Sequence, residues 1–325
     1  MRSALITIAA ALLATAASAQ SVVKRYPVPD GGWDYVSFDA ASHTVLIGRS
    51  DGVLTLDTAT GTVNPHLAAA TRTHAALALP GTGLGAVTST AAGGVLLFDI
   101  ATGAVKATLP TGPKPDAAIF DAASKTLLVM DNKVGTVTMV DPVAATVTGT
   151  VTIGGALESA ALDGRGHLYV AVEDAGAVAA VDLATKAVTG RFKLANCDEP
   201  TGLTLTKAGV LIAACGNHVA KALDAKTGAP IADLVIGERP DSAFYDATRD
   251  RAYIPTGRDG MLTVINTSAR KPKVIATIPT QTGARTGAVD PATGTVYVIA
   301  AKYEPAVGDA RPKMVPGSAE ILAVR

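Results

Sequence analysis

Seven polar positions recur along the 325-residue chain at intervals of 40 to 44 residues: Asp34, His74, Asp116, Glu158, Thr201, Asp241 and Arg285. Four are carboxylates, one is an imidazole and one a guanidinium. Gathered at one place, such a set supports three kinds of chemistry. Carboxylates alone suit Ca²⁺, and carboxylates with imidazole suit Zn²⁺ or another transition-metal ion. The metal candidates are His74, His218, Glu158 and Asp241. His74 or His218 with Glu158, Glu199 or Asp241 supplies an acid and a base, and Arg285 or Arg239 an oxyanion partner. A concave mouth of mixed charge also binds a small ligand without any reaction. No H-x-H, H-x-x-x-H or H-E-x-x-H spacing, nucleophile elbow, P-loop or dinucleotide fingerprint selects among the three.

A repeated phrase brings these positions into register. Leu56-Asp57-Thr58-Ala59-Thr60-Gly61-Thr62-Val63 returns at Phe98-Asp99, Val140-Asp141, Val181-Asp182 and Leu223-Asp224, and weakly at Ile265-Asn266. The Asp/Asn positions lie 42, 42, 41, 42 and 42 residues apart. Each unit holds β-rich runs such as Leu127-Leu128-Val129, Leu168-Tyr169-Val170 and Val296-Tyr297-Val298, separated by Gly, Asp, Ala-Thr or Lys-Thr turns. About four short strands per unit of this length is the period of a β-propeller blade. No 3.6-residue apolar stripe competes with that reading after residue 19.

The expected fold is all-β, a seven-bladed β-propeller over residues 20–325. Blade seven finds only three strands before the chain stops, so residues 21–26 are expected to complete it and remove two open edges. In such a ring each blade's inner strand starts at one rim of the channel, where the seven positions converge. Loops after the second strands return to that rim with Arg49, Asp131, Asn132, Lys133, Glu173, Asn217, His218, Arg258, Lys302 and Tyr303. The expected binding rim comprises Asp34, His74, Asp116, Glu158, Glu199, Asp241, Arg285, Asn217, His218, Arg258 and Tyr303, with Ca²⁺ or a transition-metal ion as its candidate cofactor. Residues 304–318 form a longer, proline-bearing loop able to cover the mouth. Asp57, Asp99, Asp141, Asp182 and Asp224 fit turn caps before a hairpin. Asp34, Asp116 and Asp241 could likewise serve only as acceptors of backbone N–H groups.

Composition bounds the rest. Hydrophobic residues at 48% exclude a disordered chain, and equal numbers of acidic and basic residues (28 each) argue against a nucleic-acid partner. Aromatics at 4% leave little for base stacking. Residues 1–19 combine Arg2, an apolar stretch from Ala4 to Ala14 and Ala17-Ser18-Ala19, the pattern of a cleaved secretory signal. No later segment is long enough to span a membrane as a helix. The expected product is a periplasmic or secreted monomer. In that compartment Cys197 and Cys215 are expected to form a disulfide.

The chain resembles the YVTN-repeat, YncE-like β-propellers of secreted bacterial proteins. The resemblance lies in Leu168-Tyr169-Val170-Ala171, the blade starts Pro115-Asp116 and Pro240-Asp241, and Cys197-Asp198-Glu199-Pro200-Thr201-Gly202-Leu203 with Cys215-Gly216-Asn217-His218. It implies the propeller fold and an extracytoplasmic address. The scaffold hosts several functions. The first expectation is a rim that binds a small molecule, ion or protein. The others are a lactonase- or lyase-type enzyme, metal-assisted in one version, and a partner of a redox or envelope complex.

Overall fold

The computed structural model describes residues 20–305 and 312–325; the predicted signal segment lies outside them. Seven antiparallel four-stranded sheets form a ring, a seven-bladed β-propeller with no helix among the described residues. The inner strands are Trp33–Asp39, Thr73–Leu79, Pro115–Asp121, Leu157–Leu162, Pro200–Leu205, Phe244–Asp246 and Gly287–Val289, opening blades one to seven in turn. Each packs beside the inner strands of its neighbours.

The apolar runs sit where both faces of a sheet are covered. Thr126–Asp131 and Thr136–Asp141, the middle strands of blade three, are almost wholly buried, whereas the outer Thr146–Thr152 alternates or is exposed. A blade packs both faces against neighbours, so its middle strands read as continuous rather than alternating hydrophobic runs. The core is correspondingly divided into seven clusters, one at each junction between blades.

The recurring Asp shapes the turn between the third and fourth strands. Asp57 Oδ1 accepts the N–H groups of Ala59 (2.8 Å) and Thr60 (3.0 Å), and Asp99, Asp141, Asp182 and Asp224 repeat the contact. These are Asx-type turns.

The ring closes as the N-terminal strand predicts. Val22–Pro27 pairs antiparallel with Glu320–Val324, giving blade seven its fourth and outermost strand. Tyr26 and Val28 enter the cluster between blades seven and one, beside Ile47, Leu56, Ile299 and Ile321. At the inner ring, Thr286 Oγ1 donates to the Asp34 carbonyl at 2.7 Å. In blade five Cys197 and Cys215 form the expected disulfide, with their Cα atoms 5.3 Å apart.

Candidate functional site at the channel mouth

Register places six of the seven recurring polar residues at one level. Trp33, Thr73, Pro115, Leu157, Pro200 and Pro240 each pair with the last residue of the following strand or its equivalent, and Asp34, His74, Asp116, Glu158, Thr201 and Asp241 come next. Immediately after this pair the register slips by one residue in blades one to five. A bulge at that point re-aims side chains that regular pleating would send into the sheet. Close approach of the blades also needs Gly48, because a Cβ there would lie 1.9 Å from the His74 carbonyl oxygen.

Blades one, two and three contribute a compact group. His74 Nδ1 lies 2.8 Å from Asp34 Oδ2 and 3.4 Å from Asp116 Oδ1, while Nε2 lies 3.0 Å from Thr90 Oγ1. The ligand atoms of Asp34, His74 and Asp116 all fall within 4.8 Å of one another. The Asp34 hydrogen bond raises the His74 pKa against the effect of burial. Burial, reinforced by Asp34, pushes the Asp116 carboxyl up to about 6. Above the group opens a cleft of about 630 Å³, lined among others by Trp33, Arg72, Thr90, Lys114 and Lys133.

Blade four faces this group from across the channel. Tyr35, the neighbour of Asp34, reaches Glu158 with its hydroxyl 3.1 Å from Oε2, and Asn132 Nδ2 donates to Oε1 at 2.7 Å. Burial, then the negative charges of Asp116, Glu173 and Asp241, push the Glu158 carboxyl up to about 9. Blades six and seven supply an ion pair, Arg285 Nε to Asp241 Oδ2 at 2.8 Å. Burial nevertheless lifts Asp241 to about 7 against the pull of Arg285. Asp34, Asp116 and Glu173 add to that rise. Blade five contributes no charge; Thr201 Oγ1 donates to the Pro240 carbonyl at 2.8 Å and joins neighbouring strands.

Other rim candidates pair elsewhere. His218 Nε2 lies 3.5 Å from Glu238, which Arg258 meets at 3.1 Å, and Glu199 meets Arg239 at 3.1 Å. Asn217 ties its loop to the one before Pro200–Leu205, accepting the Asp198 N–H and donating to the Asn196 carbonyl. His218 is therefore separate from the Asp34–His74–Asp116 group, and Glu158 and Asp241 have partners of their own. Tyr303 bridges to Met314 within the stem of the long loop, and its ring limits the space over Gly283. The Gly317 and Ala319 N–H groups tie that stem to the Asp30 carboxylate. Residues 306–311, the middle of the expected cover, lie outside the described residues.

Arg49 and Asp131 do not face the channel chemistry. Arg49 is buried and bonds Asp51 and the carbonyls of Pro29 and Asp30. Asp131 is buried among the hydroxyls of Thr111, Thr136 and Thr138. The residues that do complete the mouth lie one position later, at Thr90, Asn132 and Glu173. Asn132 and Glu173 are among the loop residues expected at the rim; Thr90 is not, and counting one residue past Leu84–Ser89 finds it.

No protein-family model matches the chain, and no curated protein matches it in sequence. Among solved structures it is similar to a chain of a mitotic checkpoint complex, with TM-score 0.78, 13% identity and coverage of 100% of this chain and 98% of that one. It is also similar to a chain of hydrazine synthase from Kuenenia stuttgartiensis, with TM-score 0.74, 14% identity and coverage of 83% and 93%. At these identities the likeness establishes the propeller fold.

Proposed function

We propose that the protein is a secreted or periplasmic propeller of the YVTN-repeat, YncE-like kind, whose channel mouth binds a small positively charged ligand or ion. The observation that carries this reading is the convergence of Asp34, Asp116, Glu158 and Asp241 from four blades on one mouth, where burial first and neighbouring carboxylates second raise the pKa of Asp116, Glu158 and Asp241. Burial and the charges of neighbouring carboxylates keep Asp116, Glu158 and Asp241 from ionising easily, because the protein leaves negative charge undercompensated at that depth. A cation entering the mouth relieves the repulsion and replaces their protons. The disulfide supports an oxidising compartment.

Titration of the mature chain with ethylenediamine, spermidine and Zn²⁺, with citrate as the anionic control, tests the reading. At least one cation is expected to bind, weakened at least tenfold in a D34N/D116N/D241N variant. Citrate binding with no cation binding would contradict it.

One geometric feature favours an enzyme as the second reading. Asp34, His74 and Thr90 form a carboxylate–imidazole–hydroxyl line with spacings of 2.8 and 3.0 Å. With Nδ1 protonated toward Asp34, Nε2 could take the Thr90 proton as that oxygen attacks an ester or lactone carbonyl and return it to the departing alkoxide as the original acyl–oxygen bond breaks, leaving an acyl-Thr90 for water to hydrolyse. Turnover of a chromogenic ester that disappears in T90V and persists after treatment with a chelator would favour this reading.

A further inference from the structure

We propose that Asp34, His74 and Asp116 hold one divalent first-row transition-metal ion, through Asp34 Oδ2, His74 Nδ1 and Asp116 Oδ1, with its other positions open to the cleft above. This rests on the reading that the mouth binds positive charge and narrows it to one ion in one corner.

Spacing is the first support. The three donors sit on consecutive blades, and Nδ1 lies 2.8 and 3.4 Å from the two carboxylate oxygens. Metal–ligand bonds of about 2.0–2.2 Å place two ligands of one ion about 3.0–3.4 Å apart in octahedral or tetrahedral geometry. Small side-chain adjustments therefore suffice.

The second support is the state of Asp116. It is only 6% exposed. Among the described residues no hydrogen bond reaches its carboxylate; its nearest cationic groups are His74 at 3.4 Å and Lys114 Nζ at 3.9 Å. A buried carboxylate without a hydrogen bond is costly. Its Oδ1 faces the same ring nitrogen as Asp34, so both carboxylates address one point.

The third support is Thr90. Its hydroxyl lies 3.0 Å from the far ring nitrogen. Accepting Nε2–H there leaves the Nδ1 lone pair facing the carboxylates, and metal-binding imidazoles are commonly oriented through their second nitrogen in this way. One imidazole with two carboxylates suits Zn²⁺, Mn²⁺, Fe²⁺ or Co²⁺ better than Ca²⁺, which takes six to eight oxygens. Two carboxylates also neutralise a dication.

Zn²⁺ titration of the chelator-stripped mature chain, disulfide intact, tests the proposal by calorimetry and elemental analysis. One ion per chain is expected. H74A and D116N should weaken Zn²⁺ at least 100-fold, T90V about tenfold, and E158Q less than threefold. The wild-type His74 imidazole signals, followed by NMR during the titration, give a readout independent of whether a variant folds. They should show Zn²⁺ at Nδ1. Zn²⁺ binding that leaves those signals unmoved, or that E158Q and D241N abolish while H74A does not, overturns the metal site and leaves the cation-binding mouth standing. Spermidine binding without Zn²⁺ binding has the same meaning. Failure of Zn²⁺, spermidine and ethylenediamine together overturns both.

Discussion

The Tyr35 hydroxyl of blade one lies 3.1 Å from the Glu158 carboxyl of blade four, with two blades between them on the shorter way around the ring. Its ring packs against the cluster at the junction of blades three and four. Tyr35 thus spans the channel, helps remove water from Glu158 and joins the two sides of the mouth. Burial and the Glu158 charge raise the Tyr35 pKa well above its usual value, so the phenol keeps its proton.

This pair makes stability depend on pH. Glu158 ionises near 4.3 when unfolded but holds its proton to about 9 when folded. Between those values the folded state binds the extra proton, so stability falls as pH rises. E158Q keeps an acceptor for Asn132 and a donor for Tyr35 without a charge to bury. Thermal melts should show wild type and E158Q alike near pH 4 and E158Q clearly higher at pH 9, by up to several kcal/mol in order of magnitude. Parallel curves would show that Glu158 titrates normally.

Ring closure depends on the N-terminal strand. Deleting residues 20–28 bares the edge of Glu320–Val324 and removes buried Tyr26 and Val28. Those two side chains alone represent roughly 3–6 kcal/mol of apolar burial. Calorimetry should show a melting temperature lower by roughly 10 °C. An unchanged midpoint would mean that the ring does not need this strand.

The disulfide should contribute independently of the site. Cys215 is fully buried and Cys197 nearly so, 18 residues apart in sequence. Closing a loop of that length is worth about 3 kcal/mol. The C197S/C215S variant should melt lower by that amount in denaturant and retain Zn²⁺ affinity within threefold.

Two arginines predicted together at the rim should behave differently. Arg49 is buried on Asp51 and two carbonyls, whereas Arg258 makes an exposed ion pair with Glu238. R49A should cost about 2–4 kcal/mol because it leaves the space of a buried side chain empty. R258A should cost less than about 1 kcal/mol. Equal losses in chemical denaturation would contradict this division.

The blades were legible because Asp57, Asp99, Asp141, Asp182 and Asp224 perform one local task, capping one turn, which each repeat must preserve. The same register carried Asp34, His74, Asp116, Glu158 and Asp241 to one level. Which side chains then meet depends on events that no local pattern records. The bulge after Asp34, His74, Asp116, Glu158 and Thr201 breaks two-residue alternation. Tyr35 acts at a distance of three blades in sequence. Ser89 and Asp131 end their strands buried, so Thr90 and Asn132, one residue further on, supply the polar contacts to His74 and Glu158. His74 and His218 looked equivalent as rim imidazoles, but only His74 faces two carboxylates.

Anomalous scattering from crystals of the mature protein soaked with Zn²⁺, measured on both sides of the zinc edge, addresses the mouth most directly. A single strong peak is expected about 2.0–2.2 Å from His74 Nδ1, Asp34 Oδ2 and Asp116 Oδ1. An empty corner at saturating Zn²⁺, or peaks only at His43, His66 and His167 on other surfaces, would contradict it.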